Sequence, residues 1–454
     1  MNTSIGQASA SETPDDRATA EVNAWADSAV GAVNAEELLK CYSHASTTET
    51  EAFWARIAAE GTPVWSSPDA GHVGDQGPDE TKITFLWRAP VAAEHPDGLE
   101  SVHVHVNRVT DKERHDAGYM THVPGTDIWV LTLSVSPTLR ASYGFTPLRP
   151  DEVAPTGMPE PCTYRSHRDP LNHRLPLVDH GPYGLSVLAG PQAPDQDEWE
   201  SVGLRFVRGG VLREKVALPC DGRPRDHWLY LPPTLAEDVP LLTLFDAESW
   251  FGEMSLPVAL DQAMLAGRLP EVAVLGISNI DRLDRIKSLG ANSEFLRDVA
   301  STSVSWAQNH ASDHGVQFAG RERRIVSGQS LGGLSALVAA LEQPQSYGIA
   351  LAHSSSLWWS PGGKSTPRDL AGMTGGGWIT GRFADAGDEI EKVRIRLDVG
   401  TREGLTIPQT EILQRTLEDG GWPTEGFHLY DGGHDYACWR GVLVDGLAAT
   451  LRDS

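Results

Sequence analysis

RRIVSGQSLGGLSALVAALEQ, residues 323–343, reads as a strand, a tight turn and a helix. The β-branched IVS enters the turn and the apolar GLSALVAALEQ leaves it. Between them stands Gly328-Gln329-Ser330-Leu331-Gly332. In a nucleophile elbow a serine occupies such a strand-to-helix turn, and the flanking glycines let backbone and neighbouring elements pass close by. The free N–H groups at the start of the helix then face the point where negative charge develops during acyl transfer. A GxSxG pattern alone is short enough to arise by chance. Its place between a strand and a helix gives it weight.

Working outward, strands and helices alternate from about residue 199 to the C-terminus. RDHWLYLPP, VPLLTLFDA, EVAVLGIS, SYGIALAHSS, VRIRLDVG and GFHLYDGG are strand-like. LPVALDQAMLAG, ANSEFLRDVASTSVSWAQNHA, IPQTEILQRTLEDG and CWRGVLVDGLAATLRD are helix-like. That alternation predicts an open, mostly parallel sheet with helices on both faces: an α/β-hydrolase domain over 199–454.

A serine nucleophile needs a base. His434 lies in YDGGHD (430–435), directly after the last strand-like segment and in the chain order the α/β-hydrolase architecture requires. The acid is less determined. VRIRLDVGTREG (393–404) offers Asp398 inside the strand and Glu403 just beyond its end, and Asp435 is adjacent to the histidine. A carboxylate that orients the imidazole should project from the loop after the strand, which favours Glu403 over Asp398; a serine–histidine dyad without a strong acid is the remaining option. For the oxyanion hole, the Leu331 amide is one donor and the amide of Ala247 or Glu248, after LLTLFD, is the other. Asp246 then either shapes that loop or is an ordinary turn aspartate.

The N-terminal half differs in kind. Residues 1–47 are polar, with a helical stretch at 34–42; a second helix at 48–60 is opened by Thr48 or Glu49. TKITFLWRA, SVHVHVNRV, DIWVLTLSV and ASYGFTPL alternate apolar with polar residues, with turns at Asp97-Gly98 and Pro124-Gly125-Thr126. They predict an antiparallel β-sandwich over 48–150. His103 and His105 share one face of their strand and are expected to face solvent. Residues 151–198, proline-rich with little periodicity, read as a connector.

Composition sets limits. The chain has 454 residues, 37 Lys plus Arg against 62 Asp plus Glu, and a net charge of −25. Nucleic-acid binding and attraction to an anionic membrane surface need a basic footprint, and this chain carries the opposite. Its N-terminus has no signal-peptide pattern and no apolar run is long enough to span a bilayer. Cys41, Cys162, Cys220 and Cys438 are scattered, which suggests a reducing, cytoplasmic compartment. With no HExxH-type spacing, neither metal nor cofactor is expected.

Taken together, these stretches resemble the enterochelin esterase family. In the C-terminal half the resemblance rests on LLTLFDAESWFGEMS, SGQSLGGLSAL, SSSLWWSPGG, DVGTREG and DGGHDYACWRGVL. In the N-terminal half it rests on FWARIAAEGTPVW, ITFLWRAP, PGTDIWVLTLSVSPTLRASYGFTPL and DPLNH. It covers the chain from about residue 50 to its end. The resemblance implies a cytoplasmic serine esterase that opens the ester backbone of ferric catecholate siderophores, with Ser330 as nucleophile, His434 as base and Glu403 as acid. One departure is Ala247, where the family often has Gly. A ferric tricatecholate carries roughly three negative charges, so long-range steering by this acidic protein is repulsive, though screened beyond about 8–10 Å. Local groups must hold it. Arg402 and Arg440 are candidates for the phenolate oxygens, and Trp250, Trp358 and Trp359 for the catechol rings. Arg88 and Arg140 flank N-terminal strands. The competing readings are an esterase-D-type carboxylesterase or acyl transferase, and a catalytically dead fold that binds catecholates or a protein.

Overall fold

The computed structural model describes residues 34–42, 45–66, 80–89, 99–150, 152–154, 166–181, 183–200, 207–234, 237–362, 365–387 and 389–452. The Asp97-Gly98 turn, Cys162 and the first thirty residues lie outside them. The chain divides into two compact units. The smaller takes in the chain to residue 137, 143–174 and 182–186; the larger takes in 138–142, 175–181 and everything from 187 onward.

In the smaller unit, helices α1 (Ala35–Tyr42) and α2 (Thr47–Glu60) come first. Ser46, two residues ahead of Thr48, caps α2: the Ser46 hydroxyl accepts from the Glu49 amide while the Glu49 carboxylate accepts from the Ser46 amide. Phe53, Trp54 and Ile57 of α2 bury against Leu86, Ile128 and Val130.

Strands β1 (Val64–Trp65), β2 (Thr81–Arg88), β3 (Ser101–Val106), β4 (Thr121–His122), β5 (Ile128–Val135), β6 (Arg140–Leu148), β7 (Val178–His180) and β8 (Tyr183–Ala189) form two four-stranded sheets, ordered β1-β2-β5-β4 and β3-β6-β8-β7. β1 with β2, β2 with β5, β4 with β5 and β3 with β6 pair antiparallel, with Thr81 to Arg88 running opposite Val135 to Ile128, and this is the expected β-sandwich. Two strands lie inside the stretch read as a connector. From Gly184 onward β8 is buried at every position, so it has no polar alternation to betray it.

The expectation for His103 and His105 fails. Both are buried, because the 3₁₀ turn Lys112–Gly118 covers their face of β3. His103 Nε2 bonds the His115 carbonyl at 2.9 Å, and the two rings stack at 4.4 Å. Burial pushes His103 and His105 down to about 4. Arg88 is tied up locally by Asp127 and Glu51.

The larger unit is built on an eight-stranded sheet. Its strands are β9 (Gly210–Ala217), β10 (Pro224–Leu231), β11 (Leu241–Phe245), β12 (Ala273–Ile277), β13 (Arg324–Gln329), β14 (Ile349–His353), β15 (Arg394–Gly400) and β16 (Thr424–Tyr430). The order is β16-β15-β14-β13-β11-β12-β10-β9. From β12 to β16 every pair is parallel, while β9 and β10 close one end antiparallel. β9 escaped the sequence reading because it is an exposed edge strand with no buried face.

Helices α3 (Leu256–Leu265), α4 (Arg282–Leu289), α5 (Ser293–Asp298), α6 (Val304–Asp313), α7 (Leu331–Glu342), α8 (Trp378–Ala384), α9 (Thr406–Asp419) and α10 (Tyr436–Leu451) cover the sheet. Leu241 and Phe245 of β11 enter one apolar cluster with α7, and Leu242 and Leu244 enter the other with α10. That period-2 split is what a sheet buried on both faces requires.

Candidate active site

Register sets up the site. Gln329, His353, Asp398 and His428 are paired in one row across β13, β14, β15 and β16. The residues that follow all leave the sheet at its carboxyl edge, where ligands bind in open α/β sheets.

Ser330 sits between β13 and α7 with φ 59° and ψ −119°, a left-handed conformation that a non-glycine residue adopts only when its surroundings enforce it. Its amide donates to the His353 carbonyl and its carbonyl accepts from the Ser356 amide. Its hydroxyl lies 3.3 Å from Ser356 Oγ. The turn is so tight that a Cβ on Gly328 would come within 2.5 Å of the Gly332 backbone. Leu331 is the first residue of α7, whose opening amides have no intrahelical acceptor.

Glu403 and His434 come from the loops after β15 and β16. Glu403 Oε2 accepts from His434 Nδ1 at 2.7 Å. Glu403 is buried, while about a third of the His434 side chain is exposed. Burial alone would raise the Glu403 pKa; the His434 charge and hydrogen bonds from Ser354 and the Gly400 amide outweigh it and hold the carboxyl down to about 2. Asp398 is engaged elsewhere, with His353 Nδ1 at 3.1 Å and Arg396 Nη2 at 3.0 Å. Asp435 caps α10 by accepting from the Ala437 amide, and also accepts from the Ser142 amide.

The loop after β11 is fixed by Asp246, itself at φ 59°. Its carboxylate takes both Nε and Nη2 of Arg285, at 2.7 and 2.9 Å, together with Asn279 Nδ2 and Gln329 Nε2. Asp246 therefore shapes the loop and ties it to the residue before Ser330. Ala247 follows it, fully buried, at the head of a π-helical turn, Glu248–Glu253.

That turn overturns one expectation. It rolls Trp250 into the core, fully buried, with Nε1 3.3 Å from Gln329 Oε1 and the ring against Tyr436, so Trp250 cannot stack on a ligand. Arg440 is likewise lost as a substrate contact. It is buried on the inner face of α10, bonded to Gln196 Oε1 at 2.7 Å and packed over Trp199, and burial lowers its pKa to about 10. Arg140 is buried too and bonds the Pro194 carbonyl. Trp358 and Trp359 are half-buried, Trp359 with its edge to Trp378 at 5.3 Å. Arg402 is half-buried beside Asp431 at 3.8 Å.

The sequence reading passed over Ser354, Tyr430, Trp439, Gln329 and Arg285. Gln329 and Tyr430 stand inside stretches quoted above, yet their roles, like those of the others, come from strand register or from a helix packed against the sheet edge. Among the described residues, no group of His, Cys, Asp and Glu is arranged to hold a metal, and no helix is long and apolar enough to cross a membrane.

Known proteins share this architecture. Residues 222–450 match the family model named Esterase, and residues 82–199 match the model described as Enterochelin esterase, N-terminal. An iron(III) salmochelin esterase of Escherichia coli O6:H1 is 36% identical over 399 residues, covering 87% of this chain and 92% of that protein. An iron(III) enterobactin esterase of Dickeya dadantii is 29% identical over 420 residues, with the same coverage of 87% and 92%. The crystal structure of ferric enterobactin esterase from Salmonella typhimurium superposes with a TM-score of 0.71 at 27% identity, covering 89% of this chain and 99% of that one. The Shigella flexneri enterobactin esterase, crystallised in the presence of enterobactin, gives 0.69 at 26% identity, covering 89% and 98%.

Proposed function

The chain belongs to the enterochelin esterase family, and from that premise we propose that it is a serine esterase acting on the ester backbone of ferric catecholate siderophores. The observation that carries the reading is the 2.7 Å bond between Glu403 and His434 at the sheet edge that also presents the Ser330 elbow. In this mechanism His434, oriented by ionised Glu403, takes the Ser330 proton as the hydroxyl oxygen attacks the ester carbonyl. The amides of Leu331 and Ala247 receive the oxyanion. The alkoxide leaves with the proton from His434, and an acyl-enzyme remains. Water, deprotonated by the same imidazole, then releases the carboxylic acid and frees Ser330.

Each ester cut removes covalent linkage between catechol arms, which weakens the hexadentate ligand around iron. Trp358, Trp359 and Arg402 are assigned to the substrate, the rings for stacking and the guanidinium for phenolate oxygens. With Arg440 buried, Arg402 is the one remaining cation from the sequence reading to offset the substrate's charge. The reaction is set in the cytoplasm, where the free Cys220 and Cys438 stay reduced.

The test is mass spectrometry of products from a panel of ferric and iron-free catecholate tri-esters, with p-nitrophenyl butyrate alongside. Linear catecholoyl–amino acid fragments formed in strong preference to nitrophenol are expected. Turnover of the simple ester alone would refute the substrate assignment.

A further inference from the structure

Glu403 Oε2 serves His434; its other oxygen is held by a cluster that sequence motifs do not reveal. Ser354, the first residue beyond β14, has φ 46°, a left-handed backbone that costs a non-glycine residue energy. That conformation aims its hydroxyl at Glu403 Oε1, 2.6 Å away. The Gly400 amide adds a second bond to the same oxygen at 2.9 Å. Trp439 Nε1 donates to Ser354 Oγ at 2.8 Å, so with the serine's single proton spent on Glu403 the indole fixes where that proton points. The Tyr430 hydroxyl fills the fork, 2.7 Å from Ser354 Oγ and 3.0 Å from Glu403 Oε1. Trp439 also sets its ring perpendicular to His434, with centroids 4.7 Å apart. Ser354, Glu403 and Trp439 are all buried, so these bonds act where water does not compete.

We infer that Ser354 is a positioning residue for the hydrolysis proposed above: clamped by Trp439 and Tyr430, it locks the rotamer and charge of Glu403 and thereby the orientation of His434. The inference rests on that reading of the site. A merely structural serine would need neither a strained backbone nor a hydroxyl directed at the carboxylate that faces the imidazole.

The test is a double-mutant cycle on the full chain, with kcat and KM measured on a ferric catecholate tri-ester. Ser354→Ala and Ser354→Gly each delete the hydroxyl, and glycine also relieves the left-handed strain. Both are expected to lower kcat about 10- to 100-fold with KM within about twofold, the size of a lost hydrogen bond to a charged group. In a Glu403→Gln background the same changes are expected to cost less than about threefold, because the serine acts through the carboxylate. Tyr430→Phe, which keeps the ring, should lower kcat by a smaller factor and serves if the serine variants do not fold. Full additivity with Glu403→Gln, or a loss with Ser354→Ala that Ser354→Gly restores, would overturn the inference. Absence of turnover in the unmodified protein would instead overturn the esterase reading.

Discussion

The larger unit holds two groupings of serine, histidine and carboxylate. One is the proposed site, where Glu403 bonds His434 at the sheet edge that also presents Ser330. In the other, Ser327 Oγ lies 3.3 Å from His353 Nε2, and His353 Nδ1 lies 3.1 Å from Asp398 Oδ2. The residue types and the order of connection match a catalytic triad, yet Ser327, His353 and Asp398 are all buried within the sheet. Ser327 has ordinary strand geometry inside β13, whereas Ser330 is thrust out on a left-handed turn. His353 is sealed, whereas His434 keeps about a third of its side chain exposed. Residue type is therefore not what sets the proposed site apart: access and backbone geometry are.

The most forceful way to break this comparison is to remove each serine. Ser330→Ala should lower kcat by about 1,000-fold or more while binding of the ferric siderophore, followed by tryptophan quenching, persists. Ser327→Ala should leave kcat within about threefold. Near-normal turnover by the Ser330 variant would transfer the nucleophile elsewhere.

The carboxylates give the next contrast. Glu403→Gln should cost kcat about 100- to 10,000-fold through a misoriented imidazole. Asp398→Asn should retain most of kcat but lose about 3–5 kcal/mol of stability, since it breaks a buried ionic cluster with His353 and Arg396. Thermal unfolding beside steady-state kinetics separates the two effects; a larger kcat loss for Asp398→Asn would reassign the acid.

Acidity sharpens the contrast further. Because the Glu403 carboxyl is held down to about 2, carboxylate protonation should add no limb to kcat/KM near pH 4–5, and a carboxylate limb there would contradict the arrangement. In the smaller unit, His103 and His105 are held near 4, below their unfolded value of about 6.5. A depressed histidine binds fewer protons folded than unfolded, so its contribution is present above pH 6.5 and is lost as pH falls toward 4. Chemical denaturation across that window should show falling stability, reduced in a His105→Gln variant.

The smallest expected effect is at the rim. Trp358→Ala should raise KM for the siderophore about three- to tenfold with kcat nearly unchanged. An equal loss on p-nitrophenyl butyrate would indicate disturbed packing instead.

Sequence alone determined whatever rests on local pattern. The strand-turn-helix around Ser330, the alternation of strands with helices, and a histidine after the last strand were legible because period and turn chemistry are short-range properties. Tertiary structure decided what depends on which residues the sheet brings abreast. Register gave Asp398 to His353 and left Glu403 for His434, and it delivered Ser354 from another strand. Burial removed Trp250 and Arg440 from the list of substrate contacts and turned His103 and His105 inward. An indole, a guanidinium or an imidazole looks the same in sequence whether it faces water or core; only the elements packed over it set its surroundings, and those come from distant parts of the chain.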